Sequence, residues 1–170
     1  DAFVATVVVD GATIYAGGQF TTVGGQSRAG LAALSAASGL ATAWNPAPDG
    51  FVNAITVDGG TVYAGGSFTN IGGQPRTYLA ALDKTTGLAT AWNPTIDAAP
   101  QRILSSPGVV FVAGSQTTMG GVARGGLAAI DLATGQPTSW NPNANGTVYA
   151  LVSDGSTLYA GGTFTSIGGQ

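Results

Sequence analysis

An all-β fold built from repeated antiparallel sheets is predicted by three features of the sequence. A unit of 48 residues recurs without insertion or deletion, as marked by Trp44, Trp92 and Trp140. Each unit contains short runs of β-branched and aromatic residues separated by Gly, Asp and Asn, the pattern of strands and tight turns. No window shows the 3.6-residue apolar spacing of an amphipathic helix. Four short strands in a repeat of about 40–50 residues are typical of a β-propeller blade.

The repeat divides the 170 residues of this single predicted domain into four units. Three complete units, named units 1 to 3, cover 1–48, 49–96 and 97–144, and unit 4 is a half-blade covering 145–170. We therefore predict four-stranded antiparallel blades, three complete and half of a fourth, in a partial or open propeller. We expect further blades from the same parent chain, or a second chain, to close the ring, because an unpaired sheet edge favours pairing.

Unit 2 illustrates the predicted strands, which cover 51–57, 61–68, 78–83 and 88–92. Asp58-Gly59-Gly60 predicts a tight hairpin between the first two strands, and a longer loop over 69–76 leads to the third. Because successive strands alternate in direction, the first and third connections of a blade share one end of the sheet. The second connection and the link to the next blade, which carries Asn93-Pro94, share the other end.

Glycine pairs in the second strand indicate how the blades pack; they are Gly17-Gly18, Gly65-Gly66 and Gly161-Gly162. Glycine inside a strand usually marks the close approach of another group. We expect that group to be a bulky ring, the repeated Trp or Tyr, pressed between adjacent blades. Unit 3 departs most from the repeat, with Ala113, Gln116 and Val122 at altered positions and an irregular first strand over 100–106.

The repeated motif resembles that of a known family. Unit 2 reads Thr-Val-Tyr-Ala-Gly-Gly-Ser-Phe, then Ile-Gly-Gly-Gln-Pro-Arg, Leu-Ala-Ala-Leu-Asp and Trp-Asn-Pro between Val62 and Asn93, and much of it recurs from Trp140 to Gln170. This motif is similar to the delta-60 type β-propeller repeat of secreted bacterial proteins, a domain of unknown function. The resemblance covers the whole chain. It implies a propeller in an extracellular setting and carries over no catalytic residue.

Composition argues against several functional classes. Eight acidic and five basic side chains give a net charge of −3 without a basic run, so we predict no nucleic-acid partner. No apolar stretch is long enough for a membrane span. Cys and His are absent, which removes thiolate or imidazole zinc ligands and His-activated nucleophiles. We predict no catalytic residue, no metal and no cofactor, and the Gly-rich, Lys-poor composition suits a secreted bacterial surface protein.

The repeated arginines are the most prominent candidate binding residues: Arg28, Arg76 and Arg124. One interpretation is that each guanidinium satisfies carbonyls of its own long loop or stacks on a nearby indole. The other is a ring of equivalent pockets for a sugar or carboxylate, each pairing an Arg with Trp44, Trp92 or Trp140. Arg102 is not repeated and falls on a first strand, the strand that lines the central channel of propellers. It is a candidate for a single site, with drift at a solvated position as the alternative.

The functional prediction is a non-enzymatic, secreted or cell-surface propeller that acts as a scaffold for binding or adhesion. Its expected partner is a protein or glycan at the loop face. The alternative is a lectin-like propeller with one weak site per blade, gaining avidity from multiplicity. A glycosidase that uses Asp residues in the channel is a third possibility. Most Asp residues, however, are predicted to occupy turns, where their side chains bond nearby backbone; Asp83 and Asp131, for example, end the third strand ahead of a turn.

Overall fold

The computed structural model describes residues 3–170, and every regular element in that range is a β-strand. The same residues contain no helix, and so none that could span a membrane. Unit 1 contains β1 (Val4–Asp10), β2 (Thr13–Gly18), β3 (Thr22–Val23), β4 (Gln26–Ser27) and β5 (Leu31–Ser35). Unit 2 contains β6 (Val52–Asp58), β7 (Thr61–Gly66), β8 (Asn70–Ile71), β9 (Gln74–Pro75) and β10 (Leu79–Asp83). Unit 3 contains β11 (Arg102–Ser106), β12 (Val109–Ala113), β13 (Thr118–Met119), β14 (Val122–Ala123) and β15 (Leu127–Asp131), and unit 4 contains β16 (Val148–Ser153) and β17 (Leu158–Gly162).

Each of the first three units folds into one antiparallel sheet with its second strand in the centre. The strand orders are β1-β2-β5, β6-β7-β10 and β11-β12-β15, and unit 4 forms the two-stranded sheet β16-β17. The predicted all-β, antiparallel fold is confirmed. The register recurs from unit to unit, because Tyr15 faces Ala33 and Tyr63 faces Ala81 at matching positions.

The prediction of a fourth strand is wrong, since the main sheets of units 1 to 3 have three strands each. The segment after β10 makes a single bridge, between Leu82 and Ala89, supported by a hydrogen bond from the Thr90 N–H to the Ala81 carbonyl at 2.8 Å. The Ala89 N–H donates instead to the Gly72 carbonyl at 3.0 Å. The segment is therefore shared between the sheet and the long loop, which prevents a continuous ladder.

The long loop is more ordered than its sequence predicts. In unit 2 it contains the two-residue hairpin β8-β9, and units 1 and 3 contain the equivalent hairpins β3-β4 and β13-β14. Gly72 and Gly73 form its turn with φ values of 60° and 75°. Two successive positive φ angles are the geometry of a tight hairpin turn that glycine adopts without steric cost.

Neighbouring sheets pack against one another through their first strands, since β1 contacts β6, β6 contacts β11 and β11 contacts β16. The Asn53 amide donates to the Pro100 carbonyl at 2.9 Å, and the Thr56 and Ser105 hydroxyls lie 2.9 Å apart. Apolar side chains of both partners fill the space between sheets. The core is therefore a series of layers between units.

The groups that approach Gly17 and Gly65 are aliphatic, and those that approach Gly18 and Gly66 are the backbone carbonyls of Phe3 and Phe51. The expectation of a Trp or Tyr ring there is therefore wrong. A Cβ atom at Gly17 would lie 2.8 Å from Val52 Cγ1 and 2.9 Å from Ile55 Cδ1, both on the first strand of the next unit. At Gly65 the nearest neighbour is Pro100 Cγ, at 3.1 Å. The aromatic rings occupy a different layer, described below.

The first strand of unit 3 is shorter than its counterparts but regular. β11 pairs with β12 in an unbroken register from Arg102 to Ser106. The β1 and β6 pairings each contain a register shift near their start, between Val4 and Thr6 and between Val52 and Ala54. The first strand of unit 3, with its unusual sequence over 100–106, therefore lacks the bulge found near the start of β1 and β6.

Candidate binding surface

The loops are sorted to two ends of the sheets, as the alternation of strand direction predicts. At one end Lys84, after the third strand of unit 2, forms an ion pair with Asp10, at the first hairpin of unit 1. At the other end the Gly72 N–H of the long loop donates to the Pro46 carbonyl of the preceding link at 2.7 Å. We call this second end, with the long loops and the Trp-Asn-Pro links, the loop face.

The three repeated arginines make the same two hydrogen bonds in each unit. One terminal nitrogen of Arg76 donates to the Pro75 carbonyl at 2.7 Å, and the other donates to the Thr90 carbonyl at 2.6 Å. Arg28 and Arg124 bond the equivalent carbonyls, those of Ser27, Thr42, Ala123 and Thr138. Each guanidinium therefore fastens its long loop to the bridged segment. Of its two acceptors, one lies in its own long loop, as one interpretation expected, and the other lies outside that loop.

The indole rings of Trp44 and Trp92 lie buried between units. They are 5% and 9% exposed, and each packs edge-on against a Tyr of its own unit, Tyr15 or Tyr63. Trp140 makes the equivalent contact with Phe111 but is 39% exposed. A sugar needs an accessible ring face for stacking, so Trp140 alone of the three offers one.

The predicted Arg–Trp pairs meet at one intervening residue. In unit 1 the Thr42 carbonyl accepts from Arg28, and the Thr42 hydroxyl accepts a hydrogen bond from the backbone N–H of Trp44 at 3.2 Å. Arg102 stands apart from this arrangement. It is exposed at the start of β11, where one terminal nitrogen donates to the Gln101 carbonyl at 2.7 Å.

A second repeated polar position, which the sequence reasoning missed, holds the long loops from the link side. Asp49 accepts the Thr69 and Asn70 N–H groups at 2.7 and 2.9 Å. Asp97 and Asn145 do the same 48 and 96 residues further on. The signal that could have revealed this position is the 48-residue spacing, because every unit has Asp or Asn at it.

Hydrogen bonding holds these carboxylates ionised. Side-chain hydrogen bonds from Asn70 and Thr69 hold the pKa of Asp49 well below its usual range. Partial burial opposes this effect at Asp97, but the hydrogen bonds from Thr117 and Thr118 together lower its pKa. Backbone and hydroxyl donors of Thr86 and Thr134 likewise lower the pKa values of Asp83 and Asp131. All four carboxylates are acceptors, and Asp83 and Asp131 accept within their own turns, as predicted.

Open clefts lie at the loop face where two units meet. The cleft between units 1 and 2 has a volume of about 230 Å³ and includes Phe20 and Asp49. The cleft between units 3 and 4 has a volume of about 420 Å³, and the equivalent positions there hold Gln116 and Asn145. Neither cleft includes any of the predicted Arg or Trp residues.

The larger cleft is built by departures from the repeat. Gln116 is 1% exposed where units 1 and 2 have Phe; its amide nitrogen donates to the Val112 carbonyl at 3.2 Å. No donor among residues 3–170 reaches its Oε1. Asn143, which also lines the cleft, has a φ of 49°, and Ala47 at the same position of unit 1 has a φ of 45°. Amide and hydroxyl groups, rather than charges, therefore surround this cleft.

Residues 3–170 contain no group of three or more His, Cys, Asp or Glu side chains placed to hold a metal ion. No family model and no curated protein matches the chain. Among solved structures, the computationally designed Ika4 protein is 12% identical, with a TM-score of 0.67 over 95% of this chain and 86% of that chain. The computationally designed Ika8 protein is 11% identical, with a TM-score of 0.53 over 96% of this chain and 57% of that chain. These similarities concern the fold alone.

Proposed function

We propose that the chain is a β-propeller segment that acts as a non-catalytic scaffold for binding or adhesion in a secreted or cell-surface protein. The successive contacts of β1, β6, β11 and β16 support the propeller arrangement, because the first strands of propeller blades share one side of the assembly. The composition and the resemblance to the delta-60 repeat support the extracellular setting.

The observation that supports the scaffold function is that the repeated polar groups form hydrogen bonds within their own units. The Arg76 guanidinium and the Asp49 carboxylate both bind backbone of their own unit. Polar groups employed in this way stabilise loops and leave the clefts between units as the accessible concave surface. Loops and clefts on a rigid scaffold are the usual location of binding sites.

A lectin-like function is the second candidate, and the cleft between units 3 and 4 favours it. Its lining carries the polar side chains of Ser115, Thr117, Asn143 and Asn145. Neutral donors and acceptors of this kind suit the hydroxyl groups of a sugar. The proposed site is single and non-repeated, unlike the ring of Arg pockets.

Calorimetric titration distinguishes the two candidates. The chain is titrated with a panel of hexoses and N-acetylhexosamines, alongside an Asn143→Ala variant. Ala47 adopts the same positive φ, so this variant keeps the fold. Sugar binding that Asn143→Ala weakens supports the lectin function. Absence of sugar binding, together with binding of a protein ligand at the loop face, supports the scaffold function. Turnover of p-nitrophenyl glycosides would contradict both.

A further inference from the structure

Tyr78 occupies a backbone position that the other two complete units give to glycine. Its φ is 68°, and Gly30 and Gly126, at the same position of units 1 and 3, have φ values of 62° and 65°. A residue with a Cβ atom rarely adopts this left-handed region, because that atom crowds the following carbonyl. A bulky residue held there indicates that its side chain makes a compensating contact.

The backbone around this position is the same in units 1 and 2. The Tyr78 N–H donates to the Phe68 carbonyl at 3.1 Å, and the Tyr78 carbonyl accepts the Gly66 N–H at 2.9 Å. Gly30 makes the two equivalent bonds, at 2.8 and 2.9 Å. The two units therefore differ here in the side chain and not in the path of the backbone.

The side chain at this position is directed into a cleft between two units. A Cβ atom at Gly30 would lie 3.2 Å from the Gly50 carbonyl oxygen and 3.6 Å from Pro48 Cγ, and both residues line the cleft between units 1 and 2. Tyr78 has this Cβ atom, and its half-buried side chain packs against the buried cluster that contains Ile96, the counterpart of Pro48. The Tyr78 side chain therefore occupies, between units 2 and 3, the space that stays open beside Gly30.

The open cleft beside Gly30 has the size and lining for one aromatic ring. Its volume of about 230 Å³ is that of roughly seven or eight molecules of liquid water, which is enough for a phenol group. Phe20 and Phe51 belong to its lining, and tyrosine combines an apolar ring with a hydroxyl that can face water. The Asp49 carboxylate in the lining repels an anionic ligand but not a phenol, which is neutral at pH 7 because its pKa is about 10.

The cleft between units 3 and 4 has a different lining. Gly126 leaves it open as well, but Gln116 stands where unit 1 has Phe20 and unit 2 has Phe68. Among the three unit junctions within residues 3–170, an aromatic lining residue at this position and the open space beside a glycine occur together only between units 1 and 2. The cleft beside Gly30 is therefore the one that matches the surroundings of Tyr78.

We propose that the cleft beside Gly30 is an anchor pocket for a tyrosine side chain of a partner protein, and that Tyr78 occupies the equivalent pocket between units 2 and 3. Tyrosine is a frequent anchor in protein interfaces, because its rigid ring provides a large contact area at a small cost in conformational entropy. The inference rests on the proposed scaffold function, since it names the kind of protein group that the loop face binds.

The pocket is tested with N-acetyltyrosinamide, in a titration followed by the backbone amide NMR signals of the intact chain. In the parent chain the probe should shift the signal of Gly50, which lines the cleft. Gly30→Tyr reproduces the residue of unit 2 and should abolish this shift. Tyr78→Gly reproduces the residue of unit 1 and should add a second site, reported by Ala98, the counterpart of Gly50. The stoichiometry should then rise from one to two.

The control probe is N-acetylalaninamide, which lacks the ring and should leave both signals unchanged. Tyr78→Gly keeps the test decisive if Gly30→Tyr folds poorly, because glycine adopts a positive φ without strain. The proposal would be overturned by unshifted signals in the parent chain and in Tyr78→Gly, by persistent Gly50 shifts in a folded Gly30→Tyr, or by equal shifts with the control probe. Larger shifts with methyl glucoside would reassign the cleft to a glycan. The scaffold function is judged by the separate titrations and glycoside assays, so it can hold or fail independently of this pocket.

Discussion

The indole nitrogen of Trp44 donates a hydrogen bond to the carbonyl of Asp83, 39 residues further along the chain and in the next unit. The bond joins two successive sheets at a position where the ring itself is 5% exposed. Trp92 and Asp131 repeat the bond at the same spacing. The repeated Trp is therefore a junction residue in units 1 and 2.

Removal of a junction ring should be costly where the ring is buried and cheap where it is exposed. We expect Trp44→Ala to lower the free energy of unfolding by about 3–5 kcal/mol, through lost contacts and the cavity that remains. Trp140→Ala is the matched control and should cost much less, since its ring is 39% exposed. Urea denaturation of both variants measures the difference. Equal losses would contradict the assignment of the buried ring to the junction.

The strand glycines should respond to substitution according to what faces them. Gly17→Ala places a Cβ atom 2.8 Å from Thr6 and Val52, and overpacking of this kind costs about 1–3 kcal/mol. At Gly161 the nearest atom lies 3.8 Å away, so Gly161→Ala should be neutral or gain up to about 1 kcal/mol. Thermal unfolding of the two variants gives the comparison. Destabilisation by Gly161→Ala would show that the space at unit 4 is smaller than described.

The Asp49 and Asp97 hydrogen bonds should make stability depend on pH. Both pKa values are lowered in the folded chain, so their contribution is present above the ordinary carboxyl value of about 4 and is lost as pH falls through the folded values. The double variant Asp49→Asn and Asp97→Asn copies Asn145, which accepts the same bonds without titrating. As the pH falls from about 5 to about 2, its free energy of unfolding, measured by urea denaturation, should decrease less than that of the parent chain.

Two further variants separate the charge from the acceptor. Asp49→Ala removes both and should be less stable than Asp49→Asn at neutral pH, because the Thr69 and Asn70 N–H groups lose their acceptor. An identical pH profile for the parent chain and the double Asn variant would show that these carboxylates do not control acid stability.

The side chain of Gln116 should lower the free energy of unfolding of the chain. Its Oε1 is buried without a donor among the described residues, and a buried acceptor of this kind costs about 1–3 kcal/mol. Gln116→Met, of similar size, should therefore raise the free energy of unfolding by about 1 kcal/mol. A matched change at the exposed Gln74, Gln74→Met, should have little effect. Destabilisation by Gln116→Met would show that the amide is fully satisfied.

The sequence predicted the sheets because the 48-residue period and the local strand signals agree at every position. Strands such as Thr61–Gly66 and Leu79–Asp83 lie within a few residues of their predicted bounds. The fourth strand failed because Ala89 divides its backbone bonds between the sheet and Gly72, a competition that no local pattern reveals. The ring predicted at Gly17 failed for a related reason: a glycine shows that space is needed and not which neighbour fills it.

The candidate site was predictable only where it followed the repeat. The arginines were found by their spacing. The Pro75 carbonyl lies in the long loop of Arg76, as one interpretation expected, but the Thr90 carbonyl was not foreseen as its second partner. Asn143 went unnoticed because it lies in the link and resembles an ordinary turn residue. Its proposed role in binding depends on the cleft formed with unit 4, and such a cleft arises from the packing of two units and not from either sequence alone.

The identical bond at the first two junctions has a consequence for how such a chain can change in length. Trp44 and Trp92 each reach an acceptor at the same spacing in the following unit, so unit 2 carries both halves of the joint, Asp83 as acceptor and Trp92 as donor. A unit inserted in phase would find a matching half on each side. Duplication or deletion of one gene segment could therefore alter the number of units without any compensating substitution at the joints.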